Sequence, residues 1–164
     1  HARLHRIDIL VNNAGVNVTA DMDTLSVEEW DRILNTNLRG AFLVSKAVWP
    51  IMKAQKNGHI INTVSTASKR IISNAPAYNA SKWGLAGLTQ AMHVEGRQHG
   101  IKVTALNPGG MRTKLVLDRF PDLDPQKLQD PMNIAKAVPF ILSMPPEAVV
   151  ADLLITSMNE PSWP

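Results

Sequence analysis

Four short apolar runs punctuate the chain, and each is separated from the next by a longer amphipathic stretch. Ile7-Asp8-Ile9-Leu10-Val11, His59 to Val64, Ile101 to Leu106 and Val149 to Thr156 are rich in β-branched residues and end in turn formers, so each predicts a strand. Ser26-Val27-Glu28-Glu29 has the form of a capping box. Behind it Trp30, Ile33, Leu34, Leu38, Ala41, Ser45 and Val48 recur at three- and four-residue spacing, which predicts one helix that Pro50 should end or kink. A second helix is expected from near Ala77 to about His99, stopped by Gly100. Gly84 and Gly87 weaken it unless another helix packs closely there. Asp130-Pro131 suits the start of a third helix through Ile134, Val138 and Ile141, with Pro139 expected to shorten or bend it. Between them, 115–130 is polar and proline-rich and is expected to form a mobile flap. The order strand, helix, strand, helix, strand, helix, strand calls for a parallel sheet with helices packed over it.

That topology gathers the loops after the first three strands on one edge, where open α/β sheets bind ligands. The loops hold Asn13-Ala14-Gly15, Ser65, and Pro108-Gly109 followed by Met111 and Thr113. Tyr78 and Lys82 are four residues apart, so on a helix they share a face and point into the same cleft. A free tyrosine titrates near ~10, and a neighbouring cation favours its phenolate, while a nearby serine hydroxyl holds a substrate oxygen against the phenol. These residues make a proton-transfer site for an alcohol or a carbonyl. Asn37 falls on the apolar face of the first helix, where its amide needs hydrogen-bond partners.

Composition narrows the classes. The 164 residues suit one domain, with 45% hydrophobic and 19% charged positions giving a globular profile. The net charge of +3 comes from scattered basic residues with a single adjacent pair, Lys69-Arg70, so no nucleic-acid stripe is present. There is no cysteine, and no histidine pair has metal-ligand spacing with a carboxylate, so no metal is assigned. No apolar run approaches the ~20 residues of a membrane span, and a soluble cytoplasmic protein is expected.

The quoted elements resemble the single-domain branch of the short-chain dehydrogenase/reductase family. The match is Asn12-Asn13-Ala14-Gly15, Asn37 within Asn-Thr-Asn-Leu-Arg-Gly, Ser65, Tyr78-x-x-x-Lys82, and Pro-Gly-x-x-x-Thr from Pro108 to Thr113. A lone Tyr-x-x-x-Lys is common; the four further elements at family spacing make the match specific, and it covers nearly the whole chain. The resemblance implies a Rossmann-like, doubly wound parallel sheet. It also implies an NAD- or NADP-dependent oxidoreductase interconverting a secondary alcohol and a ketone. Tyr78 would be the general acid/base, Ser65 would position the reacting oxygen, and Asn37 would anchor a water in the proton relay. Lys82 would hold the nicotinamide ribose and lower the Tyr78 pKa. Asn13, Ala14 and Gly15 would line the adenosine side of the cofactor, with Pro108, Gly109, Met111 and Thr113 at its nicotinamide end. The family's Gly-rich phosphate loop and coenzyme-selecting residue have no counterpart here. Residues 1–164 therefore read as the C-terminal portion of the domain, about four strands with their helices, whose first strand leaves an exposed edge. The resemblance also implies a homodimer or homotetramer built on the first two helices. A non-catalytic binding or dimerisation module of the same fold is the alternative. Epimerisation or dehydration is a further one, disfavoured by the compact region after Thr113.

Overall fold

The computed structural model describes residues 5–160; part of the lead-in His1 to Arg6 and of the tail Glu160 to Pro164 lies outside them. Strands β1 (Ile9–Asn12), β2 (Gly58–Thr63), β3 (Ile101–Pro108) and β4 (Asp152–Ile155) form one sheet in the order β1-β2-β3-β4. All neighbours are parallel, with Leu10 opposite Ile60, Ile60 opposite Val103, and Leu106 opposite Leu153. The sheet is the Rossmann-like parallel arrangement expected.

Side chains alternate across the sheet, so neighbouring residues of one strand enter different cores. Ile60 packs with Val103, Ile101, Met92, Val48 and Met52 under helices α2 (Ala41–Gln55) and α3 (Pro76–Gly96). Ile61 enters the opposite core with Leu106 and with Ile134, Ala137 and Ile141 of helix α5 (Pro131–Leu142). Helices on both faces make the sheet doubly wound. At β1 only one face is covered: Leu10 packs inward, whereas Ile9 and Val11 on the other face are 47% and 44% exposed. Among the described residues β1 pairs with β2 alone.

The first expected helix is interrupted, though not at Pro50. Helix α1 (Val27–Leu34), capped by Ser26 Oγ accepting from the Glu29 N–H at 3.1 Å, passes into a π-helical turn over Asn35–Gly40 before α2 begins. The widened turn swings Asn37 out of the helical stripe and toward the neighbouring loop. Pro50 lies inside α2, which continues to Gln55. Val48 and Met52, buried on either side of it in one core, hold the turns together despite the lost backbone bond. Pro139 is likewise contained within α5, whose start is capped by Asp130 accepting from the Met132 N–H.

Gly84 fulfils the expectation of close helix packing, since a Cβ there would stand 2.8 Å from Leu38 Cδ2 on the π turn. Gly87 does not, because it faces open space. Gly100 ends the second helical stretch with φ of 69°, and a Cβ would stand 2.3 Å from the Lys56 carbonyl oxygen, so only glycine fits. The segment expected as a flap carries a four-residue helix α4 (Lys114–Leu117) and a 3-10 turn at Pro125–Lys127. It is tied down where the Gln129 N–H donates to the Gly110 carbonyl and Arg112 Nη1 to the Leu128 carbonyl.

Candidate active site

Two residues past the end of β2, the chain leaves the sheet in extended form at Ser65 and turns through a 3-10 segment at Thr66–Ser68. The turn is held from three sides. Val64 N–H donates to the Leu106 carbonyl at 2.7 Å, Ser65 Oγ accepts from the Ala67 N–H at 3.0 Å, and Ser68 Oγ donates to the Ser65 carbonyl at 2.8 Å. Ser68 Oγ also meets Asn107 Oδ1 at the end of β3, and Asn107 Nδ2 donates to Asp152 on β4. Ser65 is thus fixed both by bonds within its own turn and, through Ser68 and Asn107, by the ends of β3 and β4.

Tyr78 stands in the first turn of α3, behind Pro76, with its phenol close enough to the Ser65 hydroxyl for the serine to favour the phenolate. The helix start is pinned by Asn79, which accepts from the Ile72 N–H and donates to the Ile72 and Ala75 carbonyls. One turn further, Lys82 Nζ donates to the Thr63 carbonyl at 2.9 Å and lies 5.7 Å from the Tyr78 ring centroid. Burial of this nearly inaccessible ammonium pulls its pKa down to about 8. Burial pushes the Tyr78 phenol up, against the opposing pull of the Ser65 hydroxyl and the Arg119 charge. In the protein by itself, then, the influences counteracting burial come from Ser65 and Arg119, whereas the sequence had pointed to Lys82.

Asn37 is 1% exposed and fully bonded. Its Oδ1 accepts from the Val16 N–H at 2.8 Å, and its Nδ2 donates to the Val16 carbonyl at 2.9 Å and to Ser81 Oγ at 3.0 Å. Ser81 Oγ in turn donates to the Tyr78 carbonyl. The Asn37 amide therefore clamps the loop after β1 onto the helix that carries Tyr78. A Cβ on Gly15 would lie 3.8 Å from both Asn37 Oδ1 and Lys82 Nζ, so this loop brings bare backbone beside the ammonium. Asn13 and Ala14 are exposed next to it.

A cavity of about 750 Å³ opens in front of Ser65 and Tyr78. Pro108, Gly109, Met111 and Thr113 form one wall, and the 115–128 segment forms another with Leu115, Arg119 and Phe120. The Gly109-Gly110 turn is held by Gly109 N–H donating to the Ile155 carbonyl and Gly110 N–H to Glu160 Oε2, both at 2.8 Å. Of the residues singled out in the sequence, Ser65, Tyr78, Pro108, Gly109, Met111 and Thr113 share this cavity. Asn37, Lys82 and Gly15 sit together behind it, while Asn13 and Ala14 line neither. Sequence reasoning missed Arg119, Asn107, Ser68 and Asn79; none belongs to a motif, and Arg119, Asn107 and Ser68 have partners distant in the chain.

Among the described residues, no helix is long and apolar enough to cross a membrane, and no cluster of His, Cys, Asp or Glu could hold a metal ion.

A doubly wound sheet with a serine and a Tyr-x-x-x-Lys pair converging at its C-terminal edge defines a recognisable class. The model of the short chain dehydrogenase family matches residues 1–124, and the chain belongs to that family. An uncharacterised oxidoreductase of Staphylococcus aureus is 31% identical over 149 residues, covering 91% of this chain and 64% of the relative. The uncharacterised oxidoreductase YxjF of Bacillus subtilis is 40% identical over 118 residues, covering 72% of this chain and 46% of that protein. The chain thus spans less than two thirds of the length of the curated relatives it matches. Among solved structures, levodione reductase superposes with a TM-score of 0.87 at 29% identity, over 99% of this chain and 70% of that one. The alcohol dehydrogenase of the archaeon Thermococcus sibiricus, complexed with 5-hydroxy-NADP, gives 0.85 at 27% identity, over 96% and 66%. A gluconate 5-dehydrogenase from Burkholderia cenocepacia, in complex with NADP and tartrate, gives 0.86 at 28% identity, over 96% and 66%.

Proposed function

We propose that the protein is an NAD(P)-dependent oxidoreductase interconverting a secondary alcohol and a ketone, with Tyr78 as the acid/base. The observation that carries this reading is that Tyr78 and Ser65 line the wall of one cavity, with the buried Lys82 ammonium one turn behind, 5.7 Å from the Tyr78 ring centroid.

The residues present fit the nicotinamide and ribose portion of such a cofactor. Lys82 Nζ carries three donors and spends one on the Thr63 carbonyl, which leaves donors for ribose hydroxyls. The backbone of Gly15 adds no side chain beside it, and Met111 and Thr113 line the cavity of Ser65 and Tyr78. When bound, the nicotinamide supplies or takes up the hydride. The rest of the work belongs to the chain. Ser65 Oγ, held by the Ala67 N–H, orients the reacting oxygen of the substrate against Tyr78. In ketone reduction Tyr78 gives its phenolic proton to that oxygen, and in alcohol oxidation it takes the proton back. The Ser65 hydroxyl favours the phenolate form that this exchange passes through. Asn37, through Val16 and Ser81, holds the loop and helix in register around Lys82.

We also read the groove between α2 and α3 as a contact between copies of this chain. It is lined by Phe42, Trp49, Leu88 and Met92 together with Lys46, Lys53 and Glu95, a mixture of apolar surface and opposite charges that can complement itself.

Tyr78→Phe tests the acid/base assignment. Turnover of secondary alcohols with NAD⁺ or NADP⁺ should fall by about 10²–10⁴, the range of general acid/base help, with binding of NADH or NADPH retained by fluorescence. A Phe variant that turns over at the parent rate would remove Tyr78 from the reaction.

A further inference from the structure

Arg119 is the charged residue that the reading above leaves without a task. It follows the short helix α4 and lines the same cavity as Ser65 and Tyr78. Its Nη2 donates to the Ser73 and Asn74 carbonyls, and its guanidinium lies 5.0 Å from the Phe120 ring centroid, so its plane is fixed from two sides. The remaining N–H groups have no acceptor among the described residues, and Nε is buried without one. No described carboxylate is within ion-pair distance of it. The other charged groups on the cavity are differently placed. Glu160 is engaged by Arg70 and by the Gly110 N–H, while Lys127 and Asp122 line the cavity beside residues of the 120–128 segment.

A buried donor without an acceptor costs free energy, and a guanidinium with free N–H groups beside a cavity matches an oxyanion. Arg119 lines the same cavity as Tyr78 and Ser65, so an anion on its guanidinium shares that cavity with the reacting oxygen. Leu115, Val116 and Leu128 give the same cavity apolar lining that suits a short carbon chain. We propose that the substrate is a hydroxy acid or its keto acid, whose carboxylate is held by Arg119 while Ser65 and Tyr78 engage the alcohol or ketone oxygen. The proposal rests on the oxidoreductase reading and adds to it a substrate class and a residue that selects it.

The test is a panel of 2-hydroxybutanoate, 3-hydroxybutanoate and 4-hydroxypentanoate, each paired with its methyl ester, assayed with both nicotinamide cofactors. At least one acid should exceed its ester in kcat/KM by about tenfold or more, the scale of a hydrogen bond to a charged group. Arg119→Gln should bring that ratio close to one, chiefly through KM of the acid, and Arg119→Lys should restore most of it. An equal loss for acid and ester in Arg119→Gln would mark a residue that only braces the Ser73-Asn74 loop, and would overturn the proposal. Turnover of esters with no acid preference in the parent protein would overturn it too, leaving the oxidoreductase reading in place. Calorimetric titration of the same acids and esters into the cofactor-loaded protein separates the two readings if nothing is turned over. Tighter binding of an acid that Arg119→Gln abolishes supports the anion site by itself, and equal binding of acid and ester refutes it.

Discussion

His59 makes the fold sensitive to mild acid, and the size of the effect follows from its surroundings. The ring lies on β2, 7% exposed, with Nε2 2.8 Å from Thr104 Oγ1. Thr104 Oγ1 donates its own hydrogen to the Val150 carbonyl at 2.7 Å, so it can only accept from the ring. The neutral Nε2–H tautomer is therefore the form built into the sheet. Protonating Nδ1 would place a charge in a buried site, opposite Lys102 in the strand register. Burial, and then the Lys102 charge, pull the pKa from 6.5 down to about 4. Because the unfolded chain takes up the proton first, stability is complete above about pH 6.5, declines as pH falls from there to about 4, and is level below. The shift corresponds to a loss of about 3 kcal/mol. Urea unfolding followed by tryptophan fluorescence between pH 7 and 4 measures it. His59→Gln, which keeps a donor for Thr104, separates His59 from the carboxylates that titrate in the same range. The gap between the two stability curves should change by about 3 kcal/mol across the window. Parallel curves would show that the histidine is hydrated or paired in the folded state and would refute the reasoning.

Two other outcomes are expected. Burial lowers the Lys82 pKa from 10.5 to about 8, so the folded state is penalised for carrying the ammonium at neutral pH and recovers stability as pH rises between those values. Lys82→Met should therefore raise stability at pH 7 by roughly 1–2 kcal/mol, after allowing for the Thr63 carbonyl left without its donor, while abolishing turnover; a variant both inactive and clearly less stable would contradict this. Self-association through the α2–α3 groove predicts a dimer or larger species by light scattering, shifted toward monomer in Phe42→Glu. A parent protein that is monomeric at assay concentrations removes that assignment.

The central strands were legible because both their faces are buried. Ile60 and Ile61 go to opposite cores, so β2 reads as an unbroken apolar run. The Tyr78–Lys82 pairing was equally legible, since helical spacing fixes it locally. Helix continuity was less so. Pro50 looked like a stop, yet buried neighbours carry the helix through it, and the break occurs at Asn35–Gly40, where Asn37 bonds to Val16 and Ser81. A π turn adds one residue to a turn and leaves no mark in the hydrophobic period. Gly87 shows the same limit: whether a helical glycine meets a partner depends on a neighbouring element that its own sequence does not contain.

The sequence by itself determined the parallel α/β plan, the loops that meet at one sheet edge, and the serine, tyrosine and lysine that form the candidate site. Periodicity of two and 3.6 residues and the i, i+4 relation are local properties, and they suffice for this much. The tertiary structure decided the rest: that Asn37 is a clamp, that Asn107 and Asp152 brace the Ser65 turn, that His59 is buried neutral against Thr104, and that Arg119 reaches the cavity of Tyr78. Each of these depends on partners 20 or more residues away. Such partners are specified by how the layers pack, and packing is a property of the assembled fold.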